Sequence, residues 1–176
     1  MQKAKILKPI LSIILVSSIF ISFTKKTTSN NAYYIIIDKS EYELFICKDG
    51  DWLISYPVVF GTNDLSDKQM QGDKRTPEGT FKITQKRLHN KWNKIFMIDY
   101  PTKESYTKFI TRKENGMIPK DAKIGGDIAI HGCWPNEDFV VDQYLNWTLG
   151  CISMKNEDIN AIYPYIKIGT KVIIRP

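Results

Sequence analysis

Short apolar segments separated by polar residues follow one another after residue 32, and within residues 42–46 apolar and polar positions nearly alternate. Three short segments rich in aromatic and β-branched residues follow one another: YYIIID from Tyr33, YELFIC from Tyr42 and DWLISYPVVF from Asp51. Segments of this kind, separated by polar turn residues, predict β-strands. The pair Asp49-Gly50 lies between the second and the third and is typical of a tight hairpin turn. The pattern therefore predicts an antiparallel meander at the start of the domain.

The remaining pattern predicts further strands and a few short helices. The polar stretch after Gly61 has too few apolar residues for a core element and is expected to be a surface loop. Strands are predicted at residues 80–85, 94–99, 127–131 and 171–175. Helices are predicted at residues 104–113 and 137–144 and from Asn156, as N-cap, to about residue 163. We therefore expect a mainly β domain with short helices.

An apolar run near the amino terminus has a different character. Three lysines precede residues 9–23 (PILSIILVSSIFISF), and two more follow them. A basic start followed by such a run is typical of an export signal, although about 20 residues are needed to span a bilayer. We predict a signal peptide or N-terminal membrane anchor at 1–26, a linker at 27–32 and the folded domain at 33–176. The domain is then extracytoplasmic, with membrane contact only through the N-terminal segment.

The net charge of +6 comes mostly from this segment. Residues 1–26 hold five lysines and no acid, which leaves 20 basic against 19 acidic residues. Binding to a phosphate backbone needs a cluster of Lys and Arg on one face, and the sequence has no such run after residue 26. Nucleic acid is therefore not an expected partner.

The chemistry of the chain concentrates in residues 128–154. His131 ends a predicted strand, and Gly132 follows it. Cys151 follows Gly150, which lets the backbone amides of Gly150 and Cys151 converge as an oxyanion hole requires. An imidazole near a thiol promotes formation of the nucleophilic thiolate. These residues predict Cys151 as a nucleophile and His131 as its base.

Other interpretations of the same residues remain open. His131 could be a structural hydrogen-bonding residue and Cys151 a packed core residue. His131, Cys133 and Cys151 could bind zinc, but no fourth ligand has an obvious place, and we expect no metal or cofactor. Three cysteines leave at least one thiol free, so Cys133 could compete as nucleophile or form a disulfide with Cys151.

For four further residues the sequence suggests a structural role, and for some of them a functional role as well. Cys47 lies in a predicted strand and is expected to be buried. His89 is expected to be an exposed loop residue, whose loop could line a cleft. Trp134 and Trp147 flank the stretch between His131 and the Cys151 segment, and they either cover a substrate or pack.

At these positions the chain resembles the L,D-transpeptidase catalytic domain family of the YkuD type. The resemblance rests on His131-Gly132, a spacer of the usual length, and the block at residues 148–154 (TLGCISM). Upstream, residues 42–44 (YEL) and 72–81 (GDKRTPEGTF) match further family motifs. Together these blocks extend over roughly residues 33–175.

The resemblance implies a β-sandwich-like fold of mixed sheets and a role for each site residue. Cys151 would attack the amide after the diamino residue of a peptidoglycan stem peptide, expelling D-Ala and leaving a thioester. His131 would move the proton while the Gly132 carbonyl orients its ring. An amine acceptor would then complete a 3→3 cross-link or an attachment to a protein or amine. Thr148, Ser153 and Trp134 are the expected substrate contacts.

Two departures from the family pattern widen the expectation. Cross-linking members usually have His immediately before Gly-Cys and Arg two residues after Cys, where this chain has Leu149 and Ser153. Such an Arg would contribute roughly 1.5–3 kcal/mol through a bond to a substrate carboxylate. An envelope amidase or L,D-carboxypeptidase using the same Cys-His pair is therefore the alternative. A silent wall-binding module with a structural Cys151 is a third.

Overall fold

The computed structural model of the protein describes residues 33–176. The described chain forms eight strands and three helices, in the order β1 (Tyr33–Asp38), β2 (Glu43–Lys48), β3 (Asp51–Val59), β4 (Gly79–His89), β5 (Asn93–Ile98), α1 (Lys103–Glu114), β6 (Ala129–His131), α2 (Phe139–Asp142), β7 (Ile152–Met154), α3 (Asn156–Ile162) and β8 (Lys171–Arg175). Within these residues, no helix is both long and apolar enough to cross a bilayer. The apolar run at 9–23 lies outside the described residues.

The strands form a mixed sheet that closes on itself in the order β1-β2-β3-β7-β6-β5-β4-β8. β1 pairs in parallel with β8, and β6 with β7, whereas the other neighbours are antiparallel. The predicted mainly β fold with mixed sheets and short helices is confirmed. Closure into a barrel removes the free sheet edges that an open sandwich would leave.

Alternation along each strand separates a buried core from an outer face. The inward-facing core includes Ile35, Ile37, Leu44, Ile46, Phe96, Ile130 and Ile152. Ile130 of β6 lies opposite Ile152 of β7, and both are fully buried. The residues on either side of these two isoleucines therefore project from the opposite face, which is the face that carries the candidate site.

The helix ends differ in several respects from the sequence prediction. α1 begins one residue before the predicted start at 104, with Thr102 as N-cap in a capping box with Ser105, and α2 is four residues shorter than the predicted 137–144. The N-cap of α3 is Lys155, so the prediction that Asn156 caps this helix is wrong. The side chain of Asn156 is used elsewhere, because its Nδ2 donates to Asp138 Oδ1 at 2.9 Å.

The loop between β3 and β4 is held by two largely buried ion pairs. Lys39 is fully buried and lies 2.5 Å from Glu78 Oε1, and Lys68 lies 2.7 Å from Asp73 Oδ1. Asp73 also accepts the backbone amide of Gln69 at 2.7 Å. The expectation of a simple surface loop is therefore wrong in part, since Lys68 and Asp73 brace the loop internally and Glu78 ties its end to Lys39, in the turn between β1 and β2.

Candidate active site

A cavity of about 900 Å³ lies on the outer face of β4, β5 and β6 and beside the turn that precedes β7. Ile95, Met97 and Ala129 contribute to its floor, and both His131 and Cys151 line it. These side chains are all on the face opposite to the barrel core. The fold thus brings the two residues of predicted chemistry into one cleft.

Strand register explains why the two residues share this cleft. Ile130 pairs with Ile152 and His131 with Ser153 in the parallel β6–β7 pair. Cys151 immediately precedes Ile152 and therefore belongs to the same face as His131. Diagonal neighbours of this kind are roughly 7–8 Å apart at the backbone, a gap that two convergent side chains can bridge.

His131 is packed between aromatic rings and is only 1% exposed. Trp92 stacks on it with ring centroids 4.7 Å apart at 22°, and Trp147 meets it edge-on at 5.6 Å. Burial lowers the pKa of His131 to about 4, because the charged imidazolium cannot be solvated there. The imidazole is accordingly neutral at physiological pH.

The Gly132 carbonyl orients this imidazole, as the resemblance implied. Its oxygen lies 2.7 Å from His131 Nδ1. In a neutral ring Nδ1 then carries the proton and donates a hydrogen bond to the carbonyl, which leaves Nε2 as the acceptor. The backbone carbonyl thus favours the tautomer in which Nε2 is free to accept a proton.

Cys151 is partly exposed, and its Sγ contacts the Asp127 carbonyl at 3.5 Å. Burial raises the pKa of this thiol, and the negative charge of Asp127 raises it further. The hydrogen bonds within the described chain do not include one between this sulfur and His131. The resting site therefore holds a neutral thiol and a neutral imidazole, so that deprotonation and attack must be coupled.

Hydrogen bonds shape the turn that carries the thiol. Thr148 Oγ1 donates to the Cys151 carbonyl at 2.8 Å and accepts the Gly150 amide at 3.2 Å. Thr76 of the long loop donates to the Gly150 carbonyl at 3.0 Å. Gly150 has φ +123°, and a Cβ there would lie 2.9 Å from the Arg75 carbonyl oxygen. The turn therefore requires glycine at this position.

This geometry bears on several predicted roles. The Gly150 amide donates to Thr148 Oγ1 at 3.2 Å, a bond that would have to break if this amide joined the Cys151 amide in an oxyanion hole, so this part of the site stays a prediction. Ser153 is fully buried and lies 3.5 Å from the Cys133 sulfur, so its predicted contact with substrate is wrong. Thr148 lines the cleft but is 4% exposed, and it shapes the turn. Trp134 lines the cleft, and its contact with a substrate stays a prediction.

The other two cysteines are placed for packing. Cys133 is 1% exposed, and its thiol donates to the Met154 carbonyl at 3.4 Å. Burial raises the pKa of Cys133 to about 11, which disfavours it as a competing nucleophile. Cys47 is fully buried, as predicted, and all three thiols are free.

Within residues 33–176 no cluster of His, Cys, Asp or Glu could hold a metal ion, so the zinc alternative gains no support.

The structure adds functional neighbours that the sequence did not indicate. Trp92, between β4 and β5, stacks on His131 but carries no recognisable motif. His89 is the last residue of β4 and stacks on Trp92 at 4.5 Å, so its prediction as an exposed loop residue is wrong. Asn146 fastens the Cys151 segment, accepting the Phe60 amide at 2.6 Å and donating to the Tyr42 hydroxyl at 3.0 Å.

Solved structures of similar fold come from several bacteria. Bd1075 of Bdellovibrio bacteriovorus is 20% identical with a TM-score of 0.56, and the match covers 82% of this chain and 48% of that one. The helical cell shape determining protein Pgp2 of Campylobacter jejuni is 20% identical with a TM-score of 0.57, covering 82% and 47%. An L,D-transpeptidase of Mycobacterium tuberculosis is 14% identical with a TM-score of 0.53, covering 82% and 58%.

The chain therefore spans about half the length of the first two of these proteins. A comparison with curated protein sequences gave no match. The family model of the L,D-transpeptidase catalytic domain, by contrast, matches residues 32–174, which include His131, Cys151 and all of the barrel except the last residue of β8. This chain belongs to the YkuD family of L,D-transpeptidase catalytic domains.

Proposed function

We propose that the protein is an extracytoplasmic cysteine L,D-transpeptidase that acts on peptidoglycan stem peptides during cell wall biogenesis. The observation that carries the proposal is the shared cleft, in which Cys151 and His131 occupy neighbouring positions of one sheet face. The membership of the family gives the reaction type. The cavity of about 900 Å³ is large enough for a peptide segment.

In the first half-reaction the Cys151 sulfur attacks the carbonyl carbon of the diamino residue. His131 Nε2 takes the thiol proton as the S–C bond forms, because both groups start neutral. The Cys151 amide stabilises the resulting oxyanion. When the C–N bond breaks, His131 returns the proton to the departing amino group of D-Ala, and a thioester remains.

In the second half-reaction an amine of a neighbouring stem attacks the thioester. His131 accepts a proton from this amine and returns it to the Cys151 sulfur as the C–S bond breaks. The Gly132 carbonyl at 2.7 Å stabilises the transient imidazolium through Nδ1–H, so no carboxylate is needed as third member of the triad. The product is a new amide between two stems, and the enzyme is regenerated.

A hydrolase using the same residues is the second candidate. Leu149 is 77% exposed beside the cleft, at the position where cross-linking family members usually have His. Ser153, at the position of the usual Arg, is fully buried. Both differences change the residues around the thioester, where the acceptor enters, and leave the thiol of Cys151 unchanged. Water in place of the amine would make the protein an envelope amidase or L,D-carboxypeptidase.

Incubation of the purified protein with tetrapeptide muropeptides tests the proposal. We expect release of D-Ala by the wild type and by Cys133→Ala, and at least a 1000-fold loss in Cys151→Ala, because the thiolate is the attacking group. Mass analysis then separates the two candidates, since a cross-linked dimer requires an amine acceptor. Equal D-Ala release by wild type and Cys151→Ala would overturn both, and an inert Cys151 towards iodoacetamide would favour the silent wall-binding module.

The proposal includes export by residues 1–26, as signal peptide or membrane anchor, followed by the linker at 27–32. The support is the basic start and the apolar run of the sequence. Cell fractionation with N-terminal sequencing tests it. A protein that remains in the cytoplasm would contradict it, and a new N-terminus after residue 23 would identify a cleaved signal.

A further inference from the structure

Arg87 lies in the same cross-strand row as His131. In β4 and β5 it pairs with Ile95, and Ile95 in turn pairs with His131 of β6. Residues directly opposite each other in a sheet project from the same face. Arg87 therefore belongs to the cleft face, two strand spacings or roughly 10 Å from His131 at the backbone.

The guanidinium of Arg87 has no partner within the described chain. The hydrogen bonds, ion pairs and aromatic contacts of residues 33–176 do not include this side chain, and Arg87 is exposed on the wall of the cleft. The other three arginines of the described chain all have carboxylate partners: Arg75 pairs with Asp64, Arg112 with Asp67 and Arg175 with Asp38. Arg87 is thus a cation facing the cleft without a neutralising carboxylate.

The charge of the cleft strengthens this observation. Lys68, Lys74 and Arg87 line it, against Asp127 as the acid among the lining residues. Lys68 is neutralised by Asp73 at 2.7 Å, whereas Lys74 is exposed. The pKa of the nearby His89 is lowered, first by burial and then by the charges of Arg87 and Lys91. An anionic group that enters on the Arg87 side meets a positive potential.

We infer that Arg87 forms a carboxylate-binding subsite of the cleft. This inference rests on the proposed function, because it concerns the peptide that this function would process. A planar guanidinium binds a carboxylate with two parallel hydrogen bonds, which fixes both position and orientation. The subsite supplies the carboxylate contact that Ser153 cannot make, since Ser153 is buried on the other side of His131.

The spacing limits which carboxylate reaches this subsite. An extended peptide advances roughly 3.3–3.6 Å per residue, so a backbone separation of roughly 10 Å corresponds to two or three residues. The side chain of Arg87 can shorten this gap by leaning towards the thiol. Two sources are therefore compatible with the geometry: a carboxylate within the donor peptide, and the C-terminal carboxylate of the leaving residue.

The test measures binding without turnover, by calorimetry with the Cys151→Ala protein. Three versions of one stem tetrapeptide are compared: fully acidic, internally amidated and C-terminally amidated. We expect Arg87→Gln to weaken binding of the acidic peptide by 10- to 100-fold, the size expected for a charge-assisted bond. Amidation of the recognised carboxylate should abolish this difference, and the other amidated version should retain it.

Lys82→Gln is the matched control. Lys82 is an exposed cation of the same strand, but it lies outside the cleft. Both substitutions remove one positive charge, so they change the net charge equally. We expect Lys82→Gln to change the affinity by less than twofold. Equal effects of Arg87→Gln and Lys82→Gln, an Arg87→Gln effect that persists with every amidated peptide, or no measurable binding of the acidic peptide would each overturn the subsite.

The outcome is separable from that of the proposed function. Turnover by the protein with an intact thiol depends on Cys151, whereas carboxylate-dependent binding is measured without it. Charge-specific binding in the absence of any D-Ala release would keep the subsite and reject the enzyme. Turnover that is insensitive to Arg87→Gln, together with unchanged binding, would keep the enzyme and reject the subsite.

Discussion

The strand that carries His131 is packed by aromatic rings, whereas the turn that carries Cys151 is held by hydrogen bonds. Trp92 and Trp147 exclude water from the imidazole without offering it a polar partner. Thr76 and Thr148 instead fix the carbonyls of Gly150 and Cys151 at 2.8–3.0 Å. One side of the cleft therefore sets a protonation state, and the other sets a position.

This difference predicts different failures for the two sides. Damage to the aromatic side should alter pH dependence, because the pKa of His131 depends first on burial. Damage to the turn should lower the rate at every pH, because a displaced sulfur is misaligned in any protonation state. Four substitutions or titrations separate these outcomes.

The largest effect is expected from Gly150→Ala, on the side of the turn. The new Cβ would lie 2.9 Å from the Arg75 carbonyl, at a backbone with φ +123°. We expect a loss of roughly 2–4 kcal/mol in the free energy of unfolding and at least a 100-fold fall in kcat/KM. Gly72→Ala is the control, because Gly72 has φ +88° but open space around the added Cβ. Equal destabilisation in urea titrations of both variants would contradict the steric account.

A pH titration of stability tests the aromatic side. The unfolded chain protonates His131 below about pH 6.5, whereas the folded protein does so only near pH 4. Above pH 6.5 the ring is neutral in both states and does not affect the free energy of unfolding. Between pH 6.5 and 4 only the unfolded chain takes up the proton, so the free energy of unfolding falls as the pH falls. We expect the wild type to lose about 3 kcal/mol more than His131→Gln over this range.

His89→Gln provides the comparison for this titration. The pKa of His89 is lowered as well, but His89 is less buried than His131. This variant should therefore keep most of the wild-type slope of unfolding free energy against pH. Parallel curves for the wild type and His131→Gln would show that the buried imidazole does not carry the pH dependence.

Trp92→Leu should have a smaller effect on the same side. Loss of the stacked ring admits water to His131, so the pKa of the imidazole should rise towards 6.5. We expect the acid limb of the kcat/KM profile to move to higher pH, with about a 10-fold fall near pH 5.5 and less than about a twofold change at neutral pH, where a ring of pKa 6.5 is still mostly neutral. Trp134→Leu should leave the limb in place, because Trp134 contacts Trp92 and not His131. An unmoved limb in Trp92→Leu would remove the ring from the account.

Thr76→Val should give the smallest effect. It removes one hydrogen bond, the 3.0 Å contact to the Gly150 carbonyl, and should cost about 1 kcal/mol in unfolding free energy. The rate should fall a few-fold without a shift of the pH profile, and Thr76→Ser should restore most of it. A shifted profile in Thr76→Val would break the separation between the two sides.

The sequence was most informative where a local period exists. The strand around Leu44, in which buried and partly exposed residues alternate, was predicted within a few residues. β7 was not predicted, since a three-residue strand has no period to read; β6, equally short, was predicted only as the end of a longer strand at 127–131. The burial of Lys39 depends on Glu78, a partner 39 residues away, and no local rule indicates it.

In the candidate site, too, residues with a local sequence signal were predicted, and residues placed by contacts between distant strands were not. Cys151 and His131 stand out through their adjacent glycines and their resemblance to a family. Ser153 was misassigned because its neighbours in sequence suggest the cleft, whereas the β6–β7 pairing and the packing of Cys133 bury it. Trp92 and Arg87 reach the cleft only through pairing between strands, which the sequence alone does not specify.

Covalent catalysis by Cys151 is tested by the intact mass of the protein during turnover of a stem tetrapeptide whose side-chain amine is acetylated, so that it cannot act as acceptor. We expect a transient mass increase equal to the acyl tripeptide, assigned by fragmentation to Cys151 and retained in Cys133→Ala. We also expect His131→Gln to form this adduct at least 100-fold more slowly. Release of D-Ala without any adduct on Cys151, or an adduct on Cys133, would contradict covalent catalysis by Cys151.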